Sequence, residues 1–443
     1  MPQEALELSR LGITDFIGVA YAGLREKQSE IIIDYVRELG GAPLSTVIGG
    51  KLSASPSQAA LANGTIGHSL DYDDMAISLI AHPSVFLVPA IFAVGETSRA
   101  SGKDILAAYV IGYEVACHIG KPLIQSHYTQ GWHSTATFGA LGAAAAVSWL
   151  LKLNHHQVRM ALGIAASFAA GLRQNFGTMT KPLHAGRAAA NGIQAAYLAK
   201  AGFTSDENII EAPMGFARVF GHRDEVDWER VIADLGKSCL ITGPEGLSIK
   251  PYPSCGFTHC AIDAAIALKE TYAINVKDTE EIELGVSPFD EKILIHHNPK
   301  TGLEGKFSLE YCVARALVSD EVRLKHFNAE SVAEPQVRDL TEKMKWVEKY
   351  PLPVMGTPEG FGTKSVTVRM KDGKKYEKEV LIAKGMPQNP LSVQELQTKF
   401  RDCASIYLDN AKVEKCLAFL TELENLESPS ERKKGFITDI LSP

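Results

Sequence analysis

This chain of 443 residues has no long uninterrupted apolar run, no CxxC pair and no basic tract, and each absence removes a class of function. Its least polar stretches, Ala76 to Gly95 and Trp132 to Leu151, approach the roughly 20 residues that cross a bilayer. The first is broken by His82-Pro83 and Pro89, and the second is built from Gly, Ala, Ser and Thr. Close-packed buried helices are expected there rather than membrane spans. The seven cysteines, at 117, 239, 255, 260, 312, 403 and 416, are odd in number and scattered. They provide neither a zinc ribbon nor an iron–sulfur motif, and they suit a reducing cytoplasm. The 45 basic and 52 acidic residues are spread along the chain for a net charge of −7, so nothing favours nucleic acid or an anionic membrane surface. The opening MPQEALELSRLGITDF is acidic where a secretory signal needs a basic start, which reads as no targeting segment. Tandem repeats, low-complexity tracts and the HExxH zinc pair are also absent.

What remains is the composition of a globular protein of two or three domains, 45% hydrophobic and 22% charged. Helical periods dominate up to about Pro244. Leu8-Ile13-Phe16-Ile17-Ala20 and Ile31-Ile32-Tyr35-Val36-Leu39 form apolar stripes, the second stopped by Gly40-Gly41. Further helices are expected around 56–72, 84–99, 103–124, 134–151, 155–172 and 185–201, an all-α bundle. After Gly243-Pro244 the texture becomes α+β. Glu280 to Val286 reads as a strand, and Ser365 to Met370 alternates before the Lys371-Asp372-Gly373-Lys374 turn and a returning run, Tyr376 to Ile382. Amphipathic helices are expected at 259–272 and 307–318, and Tyr350 to Gly362 reads as a long loop. Helical periodicity resumes after Pro390. The predicted organisation is therefore 1–245 helical, 246–390 α+β, and 391–443 a helical tail completing the first domain, mainly α with a smaller α+β part.

Four polar clusters could carry chemistry. Gly67-His68-Ser-Leu-Asp71-Tyr-Asp73-Asp74 crowds three acids into four positions, and each acid needs a cation, a donor or water. The cluster reads equally as a capped helix end. It also matches the DxDD of alkene-protonating cyclases, and with His82 it has residue types suited to a divalent metal. Gly131-Trp132-His133-Ser134-Thr135 opens a helix whose N-terminus suits a carboxylate, or is simply capped by a hydroxyl. Lys181-Pro182 leads into His184 and Arg187, and proline biases Lys181 to an extended, partly buried conformation. Lys250-Pro251 repeats that device at the domain junction, ahead of Cys255 and His259. It reads either as a hinge or as a second carboxylate clamp across an interdomain cleft. Tyr311 shares a helical face with Phe307, Ala314 and Val318, which fits plain core or a hydroxyl aimed at a site.

These clusters occur in the order seen in a known family. NGTIGHSLDYDDM (63–75), HPSVFLVPAIFAVGE (82–96), GWHSTATFGALGAAAA (131–146), NFGTMTKPLHAGRAAANG (175–192), KPYPSCGFTH (250–259) and FSLEY (307–311) together resemble the MmgE/PrpD family. Its members include 2-methylcitrate dehydratase, cis-aconitate decarboxylase and iminodisuccinate epimerase. The resemblance implies a homodimer with a large helical domain, a smaller α+β lid domain and an active site between them. It implies a small di- or tricarboxylate substrate and neither cofactor nor metal. The matched site positions are Asp71, His82, His133, Lys181, Lys250 and Tyr311, and His259 matches a common histidine. Decarboxylase members resemble one another in carrying histidine where this chain has Cys255, so the reading leans toward dehydration or epimerisation, with decarboxylation as the alternative.

Members' chemistry passes through a carbanion next to a carboxylate, which needs a base poised near neutral pH and cations for the developing charge. The expected roles are His82 or Lys181 as base, Lys250 and His133 on the carboxylate, Tyr311 as proton donor, and Asp71 orienting the base. Cys255 and His259 are expected to shape the binding pocket. A non-catalytic small-acid-binding or scaffold protein is the alternative of another class.

Overall fold

The computed structural model describes all residues except 222–225, 234, 320, 355, 358–361, 428–435 and 443. The chain divides into two compact units, Met1–Ile249 with Ser392–Pro443, and Lys250–Leu391. Part of the expected loop at 350–362 lies outside the described residues.

The first unit is helical: α1 (Gln3–Gly23), α2 (Lys27–Leu39), α3 (Pro56–His68), α4 (Ser84–Ser98), α5 (Gly102–Gly120), α6 (Ile124–Thr129), α7 (Ser134–Leu150), α8 (His155–Phe168) and α9 (Thr180–Lys200) precede shorter pieces. The C-terminal helices Val393–Ala404 and Asn410–Thr421 pack on α1. The two apolar stretches that stop short of a membrane span become α4 and α7. Every residue of α7 except Trp149 is buried, and α4 runs through Pro89 with its first twelve residues buried. Among the described residues no helix is long and apolar enough to cross a membrane. In α2 only half of the expected stripe faces inward. Ile32 and Val36 are buried, while Ile31, Tyr35 and Leu39, spaced four apart on a line rotated from them, are about half exposed.

What positions the site is the mutual packing of α3, α4, α7 and α9. The α3 and α9 backbones nearly touch: a Cβ on Gly64 would stand 2.6 Å from the Gly186 Cα, and one on Gly186 would stand 2.1 Å from the Leu61 carbonyl oxygen. Only glycine permits that approach, and it fixes the last turn of α3 relative to the first turn of α9.

The second unit is α+β. Its four-stranded sheet has the order Met344–Glu348, Thr279–Val286, Lys364–Met370, Lys375–Val380. The strand Thr279–Val286 runs parallel to Met344–Glu348 and antiparallel to Lys364–Met370. The hairpin turn at Asp372-Gly373 forms as its sequence predicts, with Gly373 at φ +86°. Helix His259–Tyr272 packs against the last two strands. Met344–Glu348 escaped the sequence reading, because MKWVE shows no clean alternation and only half-buries its side chains. A buried ion pair, Lys364 Nζ to Asp290 Oδ1 at 3.1 Å, ties the sheet to the loop beyond its first strand.

Candidate active site

Four helix ends supply the polar cluster. His68 is the last residue of α3, His82 lies two residues before α4, His133 is the N-cap of α7, and Lys181 lies in the first turn of α9. The bend between α3 and α4 carries Asp71, Asp73 and Asp74. Asp71 sits at φ +52° and Ile80 at φ +49°, a left-handed conformation that L-residues adopt at a cost and that the surrounding packing imposes. Lys181 departs from its expected extended form. α9 begins at Thr180, and Pro182 fits there because the N–H it lacks is one that a first turn leaves unused.

The three crowded acids meet three different fates. Asp71 Oδ1 takes the Lys181 ammonium at 2.6 Å, both side chains being almost wholly buried. Asp73 is fully buried between two imidazoles, with His68 Nδ1 2.9 Å from both carboxylate oxygens and His82 Nδ1 2.9 Å from Oδ2. Burial pushes the Asp73 carboxyl up, but His68 and His82 outweigh it and hold it well below the usual carboxylate range. Asp74 goes the other way. Burial and the neighbouring Asp15 raise it well above that range, against donors from the Ser84 N–H at 3.1 Å and the Ser84 hydroxyl at 2.5 Å.

His82 is held at several points. Its backbone N–H donates to Thr135 Oγ1 at 3.1 Å, Nδ1 also lies 2.9 Å from the Asp74 carbonyl oxygen, and Nε2 stands 3.7 Å from Asp71 Oδ1. The carboxylate on its Nδ1 is thus Asp73, whereas the sequence reading gave the orienting role to Asp71. One residue before Thr135, the Ser134 hydroxyl donates to the Ile80 carbonyl, so neither hydroxyl at the start of α7 caps it. His133 Nδ1 pairs with His184 Nδ1 at 3.0 Å. Burial first, then the Lys181 charge, hold His133 well below an ordinary histidine, and burial brings His184 down to about 4. Both rings are therefore neutral near pH 7, one donating Nδ1–H to the other. The His68 ring lies 4.5 Å from the His82 ring and 6.1 Å from that of His133. Phe176 covers the Lys181 ammonium at 5.1 Å and meets His133 edge-on.

The residue types would suit a metal, since His68, Asp71, Asp73 and His82 each bring a ligand atom within 4.8 Å of the others. The contacts they make are those of a hydrogen-bonded network: both Nδ1 nitrogens sit at donor distance from Asp73, and a lysine cation already neutralises Asp71. His68 and Asp73 are the members that the residue roles above passed over. Their signal was the spacing itself, because residues 68 and 73 flank a tight bend that folds one onto the other.

In the second unit, Lys250 is buried, and the Cys255 backbone N–H donates to the Lys306 carbonyl at 2.9 Å. His259 donates Nε2–H to the Ser254 carbonyl at 3.2 Å and stacks edge-on with Tyr252. Tyr311 is buried, its hydroxyl donates to the His326 carbonyl, and burial raises it to about 12. The Tyr311 hydroxyl thus makes its hydrogen bond within its own unit.

A helical unit whose helix ends converge on a carboxylate, imidazole and ammonium network brings together the residue types that acid–base chemistry uses. The comparisons with known proteins carry this further. Residues 1–229 match the MmgE/PrpD N-terminal domain and residues 252–425 the MmgE/PrpD C-terminal domain. The chain belongs to the MmgE/PrpD family. Among curated relatives it is 29% identical over 438 residues to the cis-aconitate decarboxylase of Mus musculus, covering 95% of this chain and 87% of that one. It is 27% identical over 446 residues to that of Homo sapiens (97% and 90%), and 26% over 448 residues to that of Aspergillus terreus (96% and 90%).

Proposed function

We propose that this protein is a lyase or isomerase that, without a cofactor, removes a proton next to a carboxylate of a small di- or tricarboxylic acid. The observation that carries the reading is His82, pinned at Nδ1 by Asp73 and lying 3.7 Å from an Asp71–Lys181 ion pair at Nε2. An imidazole held this way accepts a proton at Nε2, with the imidazolium stabilised by a carboxylate behind it. Between His82 and Lys181 as base, the ion pair fits Lys181 to hold the charge that spreads onto the carboxylate oxygens instead. His133, neutral and buried, suits a hydrogen bond to the substrate without adding charge. Lys250, Tyr311, Cys255 and His259 belong to the proposal through their family positions, as substrate contacts and, for Tyr311, proton return. Expulsion of a β-hydroxyl then gives dehydration, and reprotonation on the opposite face gives epimerisation. A homodimer in the cytoplasm is part of the same reading.

A second reading has its own support. The relatives above are decarboxylases of cis-aconitate along nearly their whole length, and in that reaction loss of CO2 creates the carbanion that the same site protonates. Cys255, where the resemblance gives decarboxylases a histidine, weighs for the first reading.

The test is NMR of the purified protein in deuterated water with citrate-like, succinate-like and aconitate-like acids, comparing wild type with Lys181→Ala and His82→Ala. Deuterium uptake or water loss that vanishes in both variants supports the proposal. Release of CO2 from cis-aconitate moves the decarboxylase reading ahead. Binding with no turnover of any acid overturns both and leaves a binding protein.

A further inference from the structure

We infer that Asp73 is the positioning residue of this site, a shared clamp that holds His82 and His68 in the same Nδ1–H tautomer. The inference deepens the proposed function and rests on His82 as its base. An ionised carboxylate only accepts hydrogen bonds, so a ring nitrogen 2.9 Å from it carries the proton. His68 Nδ1 and His82 Nδ1 both meet that condition at one carboxylate, and Asp73 is fully buried. In the neutral form of each ring the lone pair is therefore on Nε2. For His82 that nitrogen faces the Asp71–Lys181 pair. For His68 it is buried and has no hydrogen-bond partner among the described residues.

A buried basic nitrogen without a donor is costly, and proteins keep such groups where a ligand or a reaction uses them. The geometry thus assigns Asp73 two tasks. Together with the Asp74 carbonyl, 2.9 Å from the same nitrogen, it fixes which nitrogen of His82 is basic, and through His68 it leaves His68 Nε2 as an acceptor for a donor group such as a substrate hydroxyl. When His82 takes a proton at Nε2, the imidazolium keeps Nδ1–H on Asp73, so the new charge is formed against a fixed anion and needs no rearrangement. Asp71 cannot do this, because its nearest approach to His82 is at Nε2 and its Oδ1 is committed to Lys181.

The experiment is 15N NMR of histidine-labelled full-length protein without substrate, with resonances assigned through His68→Gln and His82→Gln, alongside the kinetics of Asp73→Asn. Both rings should show a protonated Nδ1 and a bare Nε2 in wild type. Asparagine offers one acceptor oxygen in place of two, so at least one ring should change tautomer in Asp73→Asn. There kcat should fall at least a hundredfold with KM within about threefold, as expected when an orienting carboxylate is lost. An Nε2–H tautomer at His82 in wild type would overturn the inference. So would a rise in KM alone, or a stoichiometric divalent ion coordinated at Nδ1 in the purified protein. If Asp73→Asn does not fold, the wild-type spectrum decides on its own. Nδ1–H tautomers in a protein that turns over no acid would overturn the proposed function and support the clamp.

Discussion

Two buried lysine–carboxylate pairs flank the same four-residue bend, and their surroundings differ. Lys181 to Asp71 and Lys399 to Asp15 both measure 2.6 Å, and all four side chains are nearly inaccessible. Lys399 also donates to the Tyr72 carbonyl at 2.7 Å and lies 4.0 Å over the Tyr72 ring, so its ammonium is spent on holding a C-terminal helix to α1 and to the bend. Lys181 has an aromatic face on one side and the His82–Asp73–His68 network beyond its carboxylate partner. The comparison teaches that a buried ion pair declares its role through its neighbours. Surrounded by backbone and ring it reads as structural, and beside titratable rings it is placed for the chemistry proposed above.

The largest effect should separate the two pairs. His82→Ala should lower kcat about a thousandfold, the scale of a lost base, while the circular dichroism melt stays close to wild type; Lys181→Met should lower kcat as far and, because it removes the cation beside buried Asp71, should lower the melt as well. Lys399→Met should act mainly on stability. It strands the buried Asp15 and should cost about 3–5 kcal/mol, read as a clearly lower denaturant midpoint, while kcat of the folded protein stays within about tenfold. Equal losses of activity in both variants would erase the distinction.

Acid should come next. His127, which burial brings down to about 3, and His184, brought to about 4, are neutral when folded but titrate near 6.5 when unfolded. A histidine with a depressed folded value adds stability above the unfolded value, and that stability is lost as pH falls toward the folded one. Each pH unit below about 6.5 should remove up to about 1.4 kcal/mol for buried His127, and less for partly exposed His184. Melting curves from pH 7 to 4.5 check this, and His127→Phe should flatten them.

The smallest effect sharpens the contrast inside the bend. Asp74 is raised by burial and Asp15, and asparagine keeps its shape without the charge that burial opposes. Asp74→Asn should stay within about 1 kcal/mol of wild type at pH 6. A raised carboxyl loses stability as pH climbs above its unfolded value, so the variant should gain on wild type toward pH 8, in urea titrations at both pH values.

Much of this molecule was legible before folding was considered. The helices at 56–68, 84–98, 134–150 and 259–272, the hairpin at Asp372-Gly373 and the buried character of residues 134–148 follow from periodicity and turn chemistry that act over a few residues. The expectation that three acids in four positions each need a separate partner is likewise local electrostatics. The strand Met344–Glu348 was not legible, because its pairing with Thr279–Val286 lies some sixty residues away along the chain. The half-exposed side of α2 was hidden for the same reason: periodicity gives a stripe, and only packing decides how wide a face is covered.

The site shows the same division. Residue types and order marked His82, His133, Lys181 and Asp71 as candidates for acid–base chemistry on carboxylates, through the family blocks that carry them, while the residues alone also allowed a metal site or a capped helix end. Which acid meets which cation was decided only when α3 and α9 closed at Gly64 and Gly186. That contact brought residue 181 onto residue 71 and left Asp73, rather than Asp71, between two imidazoles. Hydrogen bonds act over about 3 Å, and one-dimensional spacing carries no information at that scale between residues a hundred positions apart.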